Sequence, residues 1–116
     1  MTEGVIMNLS VRINEDSNLK VLEVSGEIDA YTAPELKESL MPLVKESGKQ
    51  IEVDLEDVQY MDSTGLGVFV SALKASKESG SHFTLKNVQE RVYRIFEITG
   101  LSEIIDIKAA IRGGNE

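Results

Sequence analysis

The sequence predicts a single α/β domain: a small mixed sheet, with an N-terminal hairpin and then parallel strands, packed with about four helices. Three observations support this fold class. The chain has 116 residues, which suits one domain. Two segments near the N terminus alternate apolar and polar residues with the period of a half-buried strand. After them, helical and strand-like segments alternate, which is typical of parallel strands joined by helical crossovers.

The predicted hairpin comes first. Residues 7–13, MNLSVRI, have apolar side chains at every second position, and residues 19–25, LKVLEVS, repeat this pattern after a short polar connection. We expect residues 1–6 to be disordered or extended, because they carry no such pattern. The domain is then expected to span residues 7–110, with a frayed tail at 111–116.

The first helix is predicted in the segment TAPELKESLMPLV. Thr32 and Glu35 have the spacing of a capping box. Leu36 and Leu40 begin an apolar stripe on one helical face. Pro42 should kink or split this helix, because proline has no amide hydrogen for the helical hydrogen bond.

The rest of the chain alternates strands and helices. Glycines that follow apolar helical stripes mark helix ends, because glycine readily adopts the left-handed conformation found there. The predicted segments are a strand at 50–55, a loop at 56–62, a helix from Ser63 to about Ser79 that ends at Gly80, a strand at 82–85, a helix that Gly100 ends, and a short helix or turn at 104–107.

Composition narrows the classes of function. The chain has 20 acidic and 12 basic residues, a net charge of −8. Nucleic acids and anionic membranes are bound by clustered Lys and Arg, so neither is an expected partner. There is no cysteine for disulfide or thiolate chemistry. The first residues lack a secretory signal, and no apolar run approaches the roughly 20 residues of a membrane helix. We therefore expect a cytoplasmic protein.

The segment YMDSTGLGVFV is the most unusual part of the sequence. Asp62, Ser63 and Thr64 open a helix, and all three residue types are good N-caps. Gly65 and Gly67 each cost a helix interior about 1 kcal/mol relative to alanine. One interpretation is close packing of this helix on the sheet. The other is that a phosphate or another protein approaches the helix start, with its unpaired amides and partial positive charge.

Asp29 lies in the turn GEIDAYT, after the second strand. Because the ends of parallel strands meet at one edge of a sheet, this turn and Asp62 are predicted to lie side by side. Two carboxylates would then flank the Ser63 hydroxyl. Taken alone, Asp29 is better explained by a simple role in its turn.

Three stretches together resemble a known family. They are GEIDAYTAPEL at 26–36, YMDSTGLGVFV at 60–70 and RIFEITGL at 94–101. These stretches are similar to the STAS domain of anti-sigma factor antagonists, and to the RsbV type in particular. The order of the predicted strands and helices agrees as well, so the resemblance covers about residues 7–107.

The resemblance implies a protein switch and not an enzyme. In this family the serine that matches Ser63 is phosphorylated by the partner, an anti-sigma factor with serine kinase activity (RsbW type). The unmodified form binds that partner and releases a sigma factor for general-stress-type transcription, whereas the phosphorylated form cannot bind. A PP2C-type phosphatase reverses the modification, and Thr64 is the candidate secondary acceptor. The implied partner-binding residues are Asp29, Thr32, Asp62, Ser63, Thr64, Gly65 and Gly67.

Two other functions stay open from the residues alone. The helix start could bind a nucleotide or an anion, as in sulfate-transporter and sensor versions of the same domain. A hydrolase that used Ser63 as its nucleophile would need a neighbouring base, and the chain has one histidine, His82, which we expect to be structural or at the surface. No metal-binding, nucleophile-elbow or phosphate-loop motif occurs, so no metal and no cofactor are expected.

Overall fold

The computed structural model describes residues 9–16 and 19–110. The predictions for residues 1–6 and 111–116, and for the start of the first strand at Met7, lie outside the described residues. The α/β class is confirmed, but the described chain has three α-helices and one 3₁₀ turn where about four helices were predicted. In chain order the elements are β1 (Leu9–Asp16), β2 (Leu19–Ile28), α1 (Ala33–Val44), β3 (Gln50–Met61), α2 (Ser63–Ser79), β4 (His82–Val88), α3 (Glu90–Ile98), the 3₁₀ turn (Leu101–Glu103) and β5 (Asp106–Ala109).

The sheet has its five strands in sequence order. β1 and β2 form the predicted antiparallel hairpin, with Leu9 opposite Gly26 and Asp16 opposite Leu19. All later neighbours are parallel, and an α-helix lies within each of the three parallel connections. The ends of β2, β3 and β4 therefore meet at one edge of the sheet, and this edge carries the candidate site.

One face of the sheet is buried beneath the helices. Ile51, Val53 and Leu55 alternate along β3 and are fully buried, whereas the two residues between them are acidic and only half-buried. Phe69 of α2 and Phe96 of α3 pack with ring centroids 6.0 Å apart. Burial of apolar surface on this face is the main force that holds the helices on the sheet.

The predicted ends of the third and fourth strands are wrong because of strand pairing. The fourth strand, predicted at 82–85, continues to Val88, which pairs with Ala109. The predicted loop at 56–62 is mostly strand, since β3 continues to Met61 alongside β2. Val58 and Met61 are buried there although polar residues surround them. The alternation of β3 is interrupted where its pairing with β2 shifts register, and this interruption concealed the strand in the sequence.

The C-terminal prediction is also wrong. The short helix or turn expected at 104–107 is split between the 3₁₀ turn and β5. In β5, Asp106 is aligned with Thr84 and Ile107 with Leu85 of β4. A four-residue edge strand is too short for a periodic signal, so only its partner strand defines it.

α1 is not split at Pro42. The helix continues to Val44, and Pro42 lies in its last turn. A proline at this position removes only one hydrogen bond, close to where the helical pattern ends in any case.

Candidate functional site

The start of α2 is capped by Asp62. Its backbone is extended, and its side chain accepts hydrogen bonds from the amides of Thr64 (2.9 Å) and Gly65 (3.4 Å). The amide of Leu66 donates to the Asp62 carbonyl at 3.2 Å. Of the three capping residue types at this position, the acidic one therefore caps the helix, and the two hydroxyl residues are left for other roles.

Ser63 and Thr64 lie in the first turn of α2 with both side chains exposed. In the part of the chain that the structure describes, neither hydroxyl takes part in a hydrogen bond. A hydroxyl that holds nothing in the fold can be modified or contacted without loss of an internal bond. The site predicted from the sequence is therefore accessible.

The turn before α1 is built around Asp29. Its Oδ1 accepts hydrogen bonds from the amides of Tyr31 (2.9 Å) and Thr32 (3.0 Å), an Asx-type turn. Thr32 is buried, and its hydroxyl donates to the Glu27 carbonyl at 2.7 Å. The predicted capping box is wrong, because the Thr32 side chain turns back to the end of β2 and makes no cap hydrogen bond.

The two turns meet at one edge of the sheet, as the sequence predicts. The Asp62 amide donates to the Ile28 carbonyl at 3.1 Å, which joins the end of β3 to the end of β2. Each carboxylate, however, bonds the backbone of its own helix start. In the described structure neither Asp29 nor Asp62 hydrogen-bonds the Ser63 hydroxyl, so the carboxylates shape the two turns.

The two glycines of α2 have different structural roles. A Cβ at buried Gly65 would lie 2.5 Å from Cγ2 of Ile28 and 2.6 Å from Cγ of Met61. Gly65 is therefore required for close packing of α2 on the strand ends. Gly67 is exposed, and a Cβ there would meet no atom within 4 Å. The packing interpretation applies to Gly65, whereas Gly67 leaves bare backbone at the surface.

A shallow, mostly apolar depression of about 310 Å³ lies between α1 and α2. Thr64 and Gly67 form part of one wall, and Lys37 places a cation on the other. Its lining residues are Ala30, Ala33, Pro34, Lys37, Thr64, Gly67, Val68 and Ser71. The surface next to Ser63 thus offers both apolar area and exposed backbone.

Tyr31 is a surface residue that the sequence prediction missed. Its side chain is 92% exposed, and its backbone amide is held by Asp29 Oδ1. Tyrosine is enriched at the centres of protein interfaces. The available signal was an aromatic residue inside the turn GEIDAYT, in a chain with only three tyrosines and three phenylalanines.

His82 lies far from this edge. It aligns with Gln50, the first residue of β3, whereas Ser63 lies two residues beyond the last residue of that strand. Its Nε2 lies 3.1 Å from Oδ2 of Asp106. Since His82 is the sole histidine of the sequence, Ser63 has no imidazole base, which argues against a histidine-dependent hydrolase.

The described residues form neither a metal site nor a membrane-spanning helix. Over 9–16 and 19–110, no three His, Cys, Asp or Glu side chains come together as a metal site. No helix within these ranges combines the length and the apolar character needed to cross a membrane.

Comparison with known proteins identifies the family. The STAS domain model matches residues 10–113. An anti-sigma-B factor antagonist of Bacillus subtilis is 48% identical over 108 residues, which cover 93% of this chain and 98% of that protein. An anti-sigma-B factor antagonist of Listeria monocytogenes is 50% identical over 103 residues, 88% of this chain and 90% of the relative. A crystal structure of a putative anti-sigma factor antagonist from Thermotoga maritima superimposes with a TM-score of 0.74 at 29% identity, over 87% of each chain. The chain belongs to the STAS-domain family of anti-sigma factor antagonists.

Proposed function

We propose that this protein is a phosphorylation-gated antagonist of an anti-sigma factor that is also a serine kinase. The unphosphorylated chain binds the kinase and releases a sigma factor. Transfer of the γ-phosphoryl group of ATP to the Ser63 hydroxyl ends the binding, and a PP2C-type phosphatase restores it. The observation that carries the proposal is the exposed Ser63 hydroxyl at the start of α2, which makes no hydrogen bond within residues 9–16 and 19–110, in a chain 48% identical to an anti-sigma-B factor antagonist.

The surroundings of Ser63 favour binding of a protein. Thr64 and Gly67 line the depression between α1 and α2, and the exposed Tyr31 follows Ala30, another residue of that lining. Buried Thr32 and Gly65 act indirectly, because they shape the two turns below the surface. Exposed backbone and an aromatic side chain beside an apolar depression suit a protein partner better than a small ligand.

Charge explains how phosphorylation would end the binding. A phosphoserine carries roughly −1.5 to −2 charges at neutral pH. It would lie beside the Asp62 carboxylate in a chain whose net charge is already −8. A partner surface that accommodates a neutral hydroxyl would then face an uncompensated dianion. A coupling of 1–3 kcal/mol, roughly the usual range for such switches, is enough to reduce affinity about 5- to 150-fold.

The proposal is tested by incubating the chain with its kinase and MgATP and measuring its intact mass. We expect a mass increase of one phosphoryl group, mapped to Ser63 by fragmentation, and its removal by the phosphatase. Ser63→Ala is the negative control, and Thr64→Ala is the matched control that should still accept the phosphate. A Ser63→Ala variant that gains the same mass as wild type would overturn the assignment of Ser63.

A further inference from the structure

The side chain of Asp62 already occupies two of the amides at the start of α2. The first amides of a helix are ordinarily free to bind an anion such as phosphate. Here the amides of Thr64 and Gly65 donate to Oδ1 of Asp62, and the amide of Leu66 donates to the Asp62 carbonyl. A phosphate on the neighbouring Ser63 would find the Thr64 and Gly65 amides occupied by an acidic side chain.

The backbone holds Asp62 in this position from both sides. Its amide donates to the Ile28 carbonyl of β2, and its carbonyl accepts from the Leu66 amide inside α2. The side chain is half-buried, with an extended backbone typical of an N-cap. The carboxylate is therefore set at the helix start by the fold before any modification takes place.

The charged side chains of the adjacent turn and of α1 do not offer the phosphate a substitute for the Thr64 and Gly65 amides. Asp29, in the adjacent turn, is also acidic, and its Oδ1 is occupied by backbone amides. Lys37 of α1 is the cation of the depression, whose lining includes Thr64 but not Ser63. A phosphate at Ser63 is thus next to the Asp62 carboxylate, while Lys37 lines a depression that includes Thr64.

We propose that Asp62 is a positioning residue that keeps a phosphate on Ser63 out of the cap of its own helix. By occupying the Thr64 and Gly65 amides, it leaves the phosphate dianion facing the partner. The inference rests on the proposed function, since it concerns the state in which Ser63 is phosphorylated. It goes further by assigning to Asp62 the outward orientation of the phosphate on Ser63.

The test uses full-length protein with phosphoserine placed at position 63 during translation, so that no kinase is required. Backbone amide shifts of Thr64 and Gly65 are compared between the serine and phosphoserine forms by NMR. In wild type we expect the chemical shifts of both amides to stay near those of the serine form while pH is raised through the second ionisation of the phosphate. In Asp62→Ala, which frees the amides, they should move strongly downfield as the phosphate becomes a dianion. Movement of the same size in wild type would overturn the proposal.

Melting temperatures give an independent measure. We expect phosphorylation to lower the melting temperature of wild type and to raise that of Asp62→Ala by about 4 °C, because the phosphate would then cap the helix. If phosphorylation lowers both melting temperatures equally, the freed amides do not capture the phosphate and the proposal is wrong.

Asp62→Asn separates the charge of Asp62 from its hydrogen bonds. Asparagine still accepts from both amides but carries no charge, so these amides should again stay near their unmodified shifts after phosphorylation. If Asp62→Asn instead behaves like Asp62→Ala, repulsion alone excludes the phosphate and the positioning role is overturned. Because the phosphate is installed without the kinase, these results do not depend on whether the kinase modifies Ser63.

Discussion

At the scale of single residues, the proposed switch depends on a hydroxyl that the fold does not use. Ser63 is exposed and unbonded within the described residues, while the neighbouring Asp62 caps the helix. The fold can therefore survive a change in the charge of Ser63. The affinity for the proposed partner can therefore change while the fold around Ser63 stays the same.

Substitutions at Ser63 should separate binding from switching. Ser63→Ala should bind the kinase-type anti-sigma factor with near wild-type affinity and stay bound after addition of MgATP, because it has no hydroxyl to modify. Ser63→Asp should bind more than about tenfold more weakly, a loss of about 1.4 kcal/mol. Titration calorimetry measures both affinities. Equal affinities of the two variants would contradict the proposed switch.

Tyr31 should anchor the partner. We expect Tyr31→Ala to lower the affinity for the anti-sigma factor about 30-fold, since interface hot spots contribute about 2 kcal/mol or more. Stability should stay unchanged, because the side chain is 92% exposed. Ile98→Ala is the matched control: Ile98 is 78% exposed but lies at the end of α3, on the edge where β5 begins. Similar losses for both variants would indicate a general effect of exposed apolar area.

At the scale of elements, α2 combines two opposite requirements. Its buried face must approach the strand ends closely, which is why Gly65 faces Ile28 and Met61. Its exposed face leaves Gly67 bare beside the depression. One helix therefore carries a glycine needed for packing and, two positions later, a glycine exposed at the surface.

The two glycines should respond differently to alanine. Gly65→Ala should lower the free energy of unfolding by about 1–3 kcal/mol, because the new Cβ overlaps Ile28 and Met61. Gly67→Ala should raise it by up to about 1 kcal/mol, because alanine favours the helix and meets open space. Urea denaturation of both variants measures the difference. Destabilisation by Gly67→Ala would show that its surroundings are tighter than the structure indicates.

At the scale of the whole molecule, the parallel arrangement places the ends of β2 and β3 side by side and leaves their starts at the opposite edge. The candidate site therefore lies at one edge. The pair formed by His82 and Asp106 lies at the other, where β4 and β5 begin. The candidate site is thus kept apart from the contact between His82 and Asp106, which joins β4 to β5.

The Asp106 carboxylate should make the free energy of unfolding depend on pH in the acidic range. The hydrogen bond from His82, with a further one from Thr84, lowers the pKa of Asp106 below its ordinary value of 3.8. Because the pKa of Asp106 is lower in the folded state, its ionised carboxylate stabilises the fold, and this stabilisation is fully present above about pH 3.8. The stabilisation is lost as pH falls through the pKa of the folded state. We therefore expect the difference in unfolding free energy between wild type and Asp106→Asn to shrink as pH falls below about pH 4. Urea denaturation from pH 5 to pH 3 measures it, and a difference independent of pH over this range would contradict the prediction.

The hairpin, the bounds of α2 from Ser63 to Ser79 and its end at Gly80 could all be predicted from the sequence, because they depend on periodicity and local turn chemistry. The shared edge of the Asp29 and Asp62 turns could be predicted as well, since it follows from parallel topology. Features that depend on residues distant in the chain became visible only in the folded protein. The pairing of β3 with β2 extended that strand to Met61, and β4 defined β5.

The same division holds within the candidate site. Local spacing matched Thr32 to a cap, but its hydroxyl instead accepts from the Asp29 amide and donates to the Glu27 carbonyl at the end of β2. The sequence showed two equivalent glycines, and only the packing of Ile28 and Met61 made Gly65 structural. Local signals are set by neighbours along the chain, whereas burial and side-chain partners are set by segments that meet only after folding.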